Sequence, residues 1–552
     1  MKKRLHGGDL IAGMLKREGI ELIFSLSGGH IIPIYDGCLT EGIRIVDTRH
    51  EQAAVHMAEG WARFTGQPGV AVVTAGPGVV NALPGIAVAS QSAVPLVVIA
   101  GRSSLARRDL GSMQDIDQLE LVRPMVKWAR SAYQVERLPE YVATAFRQAK
   151  SGRPGPVFLE VPIDIIESEV AEGVKVRYPT CYCPQTRLFT CESAVQEAVK
   201  LLGKAERPVI LAGSGVWWSG ASAELVAFAE MTNIPVYTRT MARGAIPEDH
   251  ALSGGFYPLG LMQADVALIL GTRFDWTLGY GRPPLFTPGM KTIQVDICVE
   301  DIGKNRPVDV ALPGDVKAVL GQLTAAFRGV KLNADPQWPS TVQTLKAAAR
   351  EAVCQEAKSD TELIHPARLC AEVQNFLPRE SAIVVDGGDI AGFTVLSMEV
   401  FTPGSLQWVG AFGHLGVGLP FALAGKLARP HQPVVLITGD GSLGLSAMEF
   451  DTAVRHNIPI VCVISNDSGW GQIRRVQRQT YGRERVVGSE LGLKRYDKIV
   501  ETLGGFGVYV EKAADIKPAL QKAFASGKPA CVNVRTDPEA VFSGMNLPWP
   551  IH

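Results

Sequence analysis

The sequence predicts an α/β protein with three consecutive, doubly wound domains, each built on a parallel sheet. Strand-length runs of β-branched residues alternate with segments of helical periodicity along most of the chain, which is the pattern of parallel sheets with crossover helices. Two connectors interrupt it, at 168–185 and at Asn333–Ser340, and 552 residues suit three or four domains of roughly 150 residues. The predicted domains are 1–170, 186–330 and 362–540, followed by a tail at 541–552.

The first domain shows this alternation most clearly. Its apolar runs are strand-length and bounded by Gly, Pro or charged residues, whereas the segments between them have helical periodicity. The predicted elements are a helix near Asp9–Arg17, strand Arg44–Asp47, helix His50–Thr65, strand Gly69–Ala75, a helix after Gly78 and strand Pro95–Ala100.

The later domains repeat the pattern. In the middle domain we predict helix Ala194–Leu202 and strands Pro208–Ala212, Val266–Leu270 and Thr292–Val295, and beyond the second connector we predict helix Ala348–Ala357. In the third domain we predict strands Ala382–Val385, Val434–Thr438 and Ile460–Ile464, with helix Ser446–His456. The tail, with Trp549 between two prolines, is expected either to close over a substrate as a lid or to fray as chain ends do.

The charge composition argues against partners that are nucleic acids or membrane surfaces. The 55 Lys and Arg residues balance 55 Asp and Glu residues, so the chain has no electrostatic footprint for either. Its longest apolar runs fall well short of the ~20 residues that a membrane-spanning helix needs. The positively charged start precedes an amphipathic helix rather than an apolar signal-peptide core, and we therefore expect a cytoplasmic protein. Catalysis on small molecules is the leading functional class.

The cysteines do not indicate disulfides or a metal site. Their number, nine, is odd and their spacing follows no framework, which favours reduced thiols in a reducing compartment. Cys181, Cys183 and Cys191 form the only cluster, and no His or further Cys lies near enough in sequence to complete a zinc site.

Oxygen-bearing side chains follow two predicted strands of the third domain. Asp440 lies between Gly439 and Gly441 just past one strand, and Asn466 and Asp467 follow the next. A right-handed crossover brings these strand ends to the same sheet edge, where open α/β sheets bind ligands. Such oxygens suit Mg²⁺ with phosphate partners, and the glycines let the backbone approach a diphosphate. Gly-Asp-Gly alone is an ordinary turn, and the Asn-Asp pair argues against that simpler interpretation.

This motif resembles the thiamine diphosphate (ThDP) signature, in which Gly-Asp-Gly is followed after some two dozen residues by Asn-Asn. Twenty-four residues separate Gly441 from Asn466, and Asp467 replaces the second Asn. The resemblance implies metal ligation by Asp440, Asp467 and the carbonyl group of Gly469, with Asn466 as the fallback ligand. It extends over nearly the whole chain to the decarboxylase and acetolactate synthase superfamily of ThDP enzymes. That superfamily implies a pyrimidine-binding, a middle and a diphosphate-binding domain, in this order.

Three further segments carry the resemblance. Residues 49–63 and 74–81 look like parts of the pyrimidine-binding domain, which implies that Glu51 binds N1′ of the cofactor and favours the imino form that removes the C2 proton. Without that context, a Glu at a helix start is usually a surface residue favoured by the helix dipole. Residues 410–418 resemble the segment that bends the cofactor, with Leu415 as an apolar wedge and the Gly413 carbonyl group holding the 4′-amino group. A Gly-rich turn with a core Leu is the structural alternative.

The resemblance also implies the remaining site residues. Glu51, Gln114 and His30 are expected to be catalytic or substrate-facing, although His30 and His414 could equally be structural histidines. The expected cofactor-binding residues are Glu51, Pro77, Asn81, Gly388, Asp389, Gly413, His414, Leu415, Gly439, Asp440, Gly441, Ser442, Asp467, Gly469, Trp470 and Gly471. Because superfamily sites lie between subunits, a homodimer or homotetramer is expected and a monomer should be inactive.

Short motifs narrow the expected reaction. Segments 27–31, 114–118 and 468–471 look most like 2-hydroxyacyl-CoA lyases of an acetolactate-synthase-like branch, which cleave the substrate to formyl-CoA and an aldehyde or ketone, reversibly. The alternatives are a carboligase acting on pyruvate or another 2-oxo acid, and a non-catalytic ThDP-binding protein, against which Glu51 argues. Three arginines could meet CoA phosphates or be solvated surface residues, namely Arg474, Arg475 and Arg478.

The middle domain carries a weaker resemblance to a nucleotide site, in residues 271–275 and 294–297. Acetolactate synthases tend to have Asp-Asp-Arg where this chain has Asp275-Trp276-Thr277. ADP, a CoA-type nucleotide or no ligand is therefore expected there ahead of FAD.

Overall fold

Three six-stranded parallel sheets, each with its own helices, form the part of the chain that is described, which confirms the predicted fold class. The computed structural model describes residues 5–184, 186–255, 258–359 and 361–541. The tail from residue 542 onward, on which the lid hypothesis depends, lies outside these residues. No helix in the described ranges combines the length and apolarity needed to cross a membrane.

The first sheet is built from the N-terminal part of the chain. Its elements are α1 Gly7–Arg17, β1 Leu22–Ser25, α2 Ile32–Glu41, β2 Arg44–Asp47, α3 Glu51–Thr65, β3 Gly69–Val73, α4 Pro77–Gln91, β4 Leu96–Arg102, α5 Gln118–Val122, β5 Trp128–Ser131, α6 Leu138–Lys150, β6 Pro156–Pro162 and α7 Ile163–Glu167. The strand order is β2-β1-β3-β4-β6-β5. Strands β3 and β4 are buried along their whole length, as expected when helices cover both faces of a parallel sheet.

The middle sheet has the order β12-β11-β10-β7-β8-β9, with these elements: α8 Glu192–Gly203, β7 Pro208–Ala212, α9 Ser214–Trp218, α10 Ser222–Thr232, β8 Val236–Thr238, β9 Ser253–Gly255, β10 Val266–Leu270, β11 Lys291–Asp296, β12 Val310–Pro313 and α11 Val316–Ala326. The predicted strands Pro208–Ala212 and Val266–Leu270 are confirmed with the same bounds.

The third sheet follows a long helix, α12. The elements are α12 Trp338–Ala357, α13 Pro366–Phe376, β13 Ala382–Val385, α14 Asp389–Ser397, β14 Leu406–Trp408, α15 Gly418–Ala428, β15 Val434–Gly439, α16 Asp440–Gly444, α17 Glu449–Arg455, β16 Val461–Asn466, α18 Gly471–Tyr481, α19 Tyr496–Thr502, β17 Phe506–Val510, α20 Ile516–Ala525 and β18 Ala530–Arg535. The strand order is β14-β13-β15-β16-β18-β17.

Two details of the sequence prediction are wrong. The connector Asn333–Ser340 does not continue to Ser340, because α12 begins at Trp338 with Pro339 in its first turn, where proline has no hydrogen bond to lose. The crossover after β15 contains two short helices, α16 and α17, instead of one.

The chain divides into two compact units. The first contains the N-terminal sheet together with Leu419–Pro430 and Ser446–Ile458, and the second contains the middle and third sheets. Each unit contains some of the residues that the sequence predicts as functional.

Candidate active site

In the second unit, the metal motif lies at the carboxyl edge of the third sheet. Strands β15 and β16 are parallel neighbours, with Gly439 opposite Ser465 in the register. Asp440 is the first residue after β15, and Asp467 is the first residue after β16. The structure therefore brings the two predicted acidic ligands to one place. With Asp389 at the start of α14, they form what we call the carboxylate cluster (Asp389, Asp440 and Asp467).

Asp440 is the most deeply buried member of the carboxylate cluster. Its side chain is 1% exposed, and neither carboxyl oxygen has a hydrogen-bond partner in the described part of the chain. Burial, and then the neighbouring Asp467 carboxyl, raise the pKa of Asp440 to about 8. Burial also raises the pKa values of Asp467 and Asp389, while Arg474 and Arg475, respectively, oppose the increase. A divalent cation bound between these two adjacent carboxyl groups would stabilise their ionised forms.

The donor set fits Mg²⁺, which prefers a few carboxylate oxygens combined with phosphate oxygens and water. Asn466, the fallback metal ligand, is less suited to bind a cation than the sequence suggested, because its side chain is already hydrogen-bonded. Its amide nitrogen donates to the carbonyl group of Lys494 at 3.0 Å and to Asn533 Oδ1 at 3.0 Å, and its Oδ1 accepts the Ser468 N–H at 3.2 Å. Asn466 therefore holds the loop after β16 through these contacts, and Asp467 stays the predicted ligand of this loop.

Two of the predicted cofactor-binding glycines, Gly388 and Gly441, lie where a Cβ atom would come closer than 3.0 Å to a neighbouring side chain. A Cβ atom at Gly441 would lie 2.7 Å from the ring of Trp470, and one at Gly388 would lie 2.8 Å from Gln472 Oε1. Gly439 and Ser442 lie beside Gly387, whose φ of +116° favours glycine. Gly469 is buried in the turn after β16. This close-packed backbone at the start of α16 suits a diphosphate near its N–H groups.

Asp386 fixes the segment that is expected to bend the cofactor. Its Oδ2 accepts the N–H groups of Gly416 at 2.9 Å and Gly418 at 2.8 Å. Before them, Gly413 ends a 3-10 turn at φ +66°, and Leu415 is only half-buried. A half-buried Leu415 in a loop held by hydrogen bonds agrees better with the hypothesis of an apolar wedge than with that of a core leucine. Sequence reasoning assigned no role to Asp386, although its position directly after β13 was a usable signal.

In the first unit, Glu51 begins α3 and is buried at 6% exposure. Asn81 Nδ2 donates to Glu51 Oε2 at 3.0 Å. A Cβ atom at Gly78 would lie 3.4 Å from Glu51 Oε1, so the turn between β3 and α4 passes close to this carboxyl group. The surface interpretation of Glu51 is therefore wrong, and its pairing with Asn81 joins the two predicted segments.

His30 and Gln114 lie against the same turn, residues 74–78. His30 Nδ1 is 3.3 Å from Thr74 Oγ1, and burial lowers the pKa of His30 against the opposing effect of Glu167. Gln114 has a left-handed backbone at φ +63°, and its carbonyl oxygen lies 2.6 Å from where a Cβ atom of Gly76 would stand. Pro77, also predicted, is the first residue of α4 and is exposed. Three loops thus meet around Glu51.

Gln118 supports this turn and was missed by sequence reasoning. Its Oε1 accepts the Gly76 N–H at 2.7 Å, while its Nε2 donates to the Gly101 carbonyl group at 3.1 Å and to Glu160 Oε2 at 3.0 Å. Glu160 in turn is paired with Arg102. These contacts join residues 17 to 58 positions apart in the chain, so no local pattern could reveal them.

Replacing Gln118 by Ala should lower the melting temperature of the apo protein by several degrees. The change leaves buried donors and acceptors unpaired, each at a cost of about 1–3 kcal/mol. Thermal unfolding monitored by circular dichroism tests this, with Glu120→Ala as a control because Glu120 lies in the same helix and is exposed. Equal melting temperatures for the two variants would contradict the role given to Gln118.

The three arginines suggested for CoA phosphates are all in ion pairs. Arg474 lies 2.9 Å from Asp467 Oδ2, Arg475 lies 2.8 Å from Asp389 Oδ1, and Arg478 contacts Glu539. The alternative that they are solvated surface residues fails for Arg474, which is buried. Because their positive charges are paired with carboxylates, these arginines do not form a phosphate-binding site in this structure.

The middle-domain loops use their acidic residues for their own turns. Asp275 Oδ1 accepts the N–H of Thr277 at 2.9 Å and its hydroxyl group at 2.6 Å, and Asp296 Oδ1 accepts the Cys298 N–H at 2.9 Å. Trp276 Nε1 donates to the carbonyl group of Ala411, within the predicted bending segment, at 2.9 Å. A nucleotide in the middle domain stays a prediction.

Family models match three successive segments of the chain. The N-terminal TPP binding domain of thiamine pyrophosphate enzymes matches residues 5–121, the central domain matches 195–323, and the C-terminal TPP binding domain matches 386–534. The residues described above around Glu51 lie in the first match, and the carboxylate cluster lies in the third.

Similar proteins with assigned names extend over the whole chain. A probable acetolactate synthase of Mycobacterium bovis is 40% identical over 544 residues, which cover 98% of this chain and 97% of that protein. The 2-hydroxyacyl-CoA lyase 2 of Caenorhabditis elegans is 34% identical over 583 residues, covering 97% and 90%. The human 2-hydroxyacyl-CoA lyase 2 is 33% identical over 584 residues, covering 96% and 90%. Two named activities therefore occur among these relatives.

Proposed function

Because this chain is a thiamine-diphosphate-dependent enzyme that belongs to the thiamine pyrophosphate enzyme family, we propose that it is a Mg²⁺-requiring carbon–carbon lyase. In this proposal it cleaves a 2-hydroxyacyl-CoA to formyl-CoA and an aldehyde or ketone, and catalyses the reverse ligation. The supporting observation is the loop after β16. Residues 468–471, which resemble the lyases, directly follow the candidate metal ligand Asp467, and a Cβ atom at Gly471 would lie 2.2 Å from Asp467 Oδ2.

The residues of the first unit would handle the proton chemistry. When bound, ThDP supplies the nucleophilic carbon and the electron sink for making or breaking a bond next to a carbonyl group. Asn81 occupies Glu51 Oε2, and Oε1 is then the atom of Glu51 that would hold a proton for the pyrimidine ring. His30, half-buried and with a lowered pKa, is suited to act as a neutral hydrogen-bonding group toward substrate.

The residues of the second unit would bind the diphosphate end. Asp440 and Asp467 would ligate Mg²⁺ with the carbonyl group of Gly469, and the backbone around Gly439, Gly441 and Ser442 would contact phosphate oxygens. The resemblance stated above further supports a homodimer or homotetramer as the active form.

A second candidate function is favoured by a specific relative. The probable acetolactate synthase of Mycobacterium bovis is more similar to this chain than either lyase named above. Under this alternative, the same residues would serve a decarboxylating carboligase that acts on pyruvate or another 2-oxo acid.

Product analysis separates the two proposals. With ThDP and Mg²⁺ present, we expect 2-hydroxyacyl-CoAs of several chain lengths to yield formyl-CoA, and we expect pyruvate to be turned over slowly or not at all. Chromatography of CoA esters and measurement of CO₂ release are the readouts, with Glu51→Gln as the inactive control. Rapid acetolactate formation without formyl-CoA would overturn the lyase proposal in favour of the carboligase.

A further inference from the structure

We propose that Arg474 is a positioning residue for the cation site. In this proposal it takes up one carboxyl oxygen of Asp467 and compensates its charge, so that Asp467 presents a single oxygen to the cation, as an Asn would. The inference rests on the proposed ThDP and Mg²⁺ site. It explains how this chain can have Asp467 where the ThDP signature has Asn.

The contacts of Arg474 are specific. The residue lies in the first turn of α18 and is 4% exposed. Its Nη2 donates to Asp467 Oδ2 at 2.9 Å and to the Asp467 carbonyl group at 3.2 Å. A guanidinium group is always charged and has a fixed fork of donors, so these contacts orient the carboxyl group as well as pairing it. Asp467 Oδ1 takes part in neither contact, and it is the oxygen that would face a cation.

Glycines make room for this pair. A Cβ atom at Gly469 would lie 2.7 Å from Arg474 Nη1, and one at Gly471 would lie 2.2 Å from Asp467 Oδ2. Any other residue at either position would push the guanidinium and carboxyl groups apart. The two glycines of the loop between Asp467 and Arg474 therefore leave the space that this ion pair needs.

The charge count of the carboxylate cluster supports the same inference. Arg475 Nη2 lies 2.8 Å from Asp389 Oδ1, as Arg474 does with Asp467. Two of the three carboxyl groups thus have an arginine, whereas neither oxygen of buried Asp440 has a hydrogen-bond partner among the residues that the structure describes. A cation bound here would find one uncompensated carboxylate, Asp440, and one compensated carboxylate, Asp467.

A purely structural ion pair would behave differently. Breaking it would lower the stability of the apo protein but would leave cofactor affinity unchanged. A role in positioning should change ThDP affinity, and removing both charges together should restore it, because Asn at position 467 supplies one uncharged ligand oxygen.

The test is a double-mutant cycle read by isothermal titration calorimetry of ThDP at saturating Mg²⁺. Asp467→Asn leaves a buried guanidinium group without its carboxylate partner, and Arg474→Gln leaves an extra negative charge beside the proposed diphosphate site. We expect each single variant to bind ThDP about 10- to 100-fold more weakly, the range typical for partners of metal ligands. The double variant should recover to near the wild-type affinity, which is the non-additivity of directly coupled residues.

Two further variants keep the test decisive. Arg474→Lys retains the positive charge. It should therefore bind ThDP more tightly than Arg474→Gln. Arg243→Gln breaks another buried pair, with Glu248, and should lower the melting temperature without changing ThDP affinity. Additive losses in the cycle, or wild-type affinity in both single variants, would overturn the role of Arg474 alone. A wild-type protein that binds no ThDP would instead overturn the proposed function and this inference with it.

Discussion

Replacing Glu51 by Gln is expected to lower kcat by about 10²- to 10⁴-fold, the usual contribution of a general acid–base group. The change keeps the size of the side chain and an oxygen to accept the hydrogen bond from Asn81 Nδ2. It removes only the ability of Oε1 to hold and share a proton. We therefore expect folding and ThDP binding to be close to those of the wild type, with exchange of the cofactor C2 proton slowed severely.

The readouts are steady-state kinetics and hydrogen–deuterium exchange at C2 measured by NMR. Glu21→Gln is a suitable control, because it removes an exposed carboxyl group from the same domain. Unchanged turnover and unchanged exchange in Glu51→Gln would show that Glu51 does not activate the cofactor. Lost activity with a collapsed fold would be detected by circular dichroism and would point to a structural role instead.

Replacing Asp440 by Asn is expected to weaken Mg²⁺-dependent ThDP binding by more than about 100-fold, since even an outer-shell partner of a metal ligand typically contributes 10- to 100-fold. The apo protein should at the same time be equally stable or more stable. Asp440 is buried, its carboxyl oxygens have no hydrogen-bond partner within the described ranges, and its ionised form is unfavourable there. A neutral Asn of the same size avoids that penalty.

The stability effect of Asp440→Asn has a defined pH dependence. Because burial and Asp467 raise the pKa of Asp440 from 3.8 to about 8, the folded apo protein binds a proton that the unfolded chain has lost over this range. Wild-type apo stability should therefore fall as pH rises from about 4 through about 8, and this fall should be smaller in the variant. Thermal melts at pH 6 and pH 9 in a metal-free buffer measure it. A variant that is less stable than the wild type at pH 9 would contradict this description of Asp440.

The strand ends that carry the chemistry were predictable from the sequence. Asp440 and Asp467 each follow a run of buried β-branched residues, and adjacent parallel strands must place such positions at one edge. Glu51 was predictable only through the resemblance of its neighbourhood, because a single Glu at a helix start carries little information. The helices around it needed no resemblance, since their periodicity and caps are local properties.

Other features depend on contacts that are distant in sequence. Gln118 contacts Gly76 and Glu160, and Asp386 contacts Gly416 and Gly418. These contacts join residues 30 to 42 positions apart in the chain. The strands Leu22–Ser25 and Pro156–Pro162 were not predicted either. The first is only four residues long, and the second has a proline at each end, which weakens the strand pattern.

Calorimetric titration of the wild-type protein with ThDP, with and without Mg²⁺, tests the central claim most directly. We expect one ThDP bound per chain in the presence of Mg²⁺ and much weaker binding when the cation is removed with a chelator. Saturable binding of equal affinity in the absence of any divalent cation would contradict the role given to Asp440 and Asp467, and no binding under either condition would contradict the account as a whole.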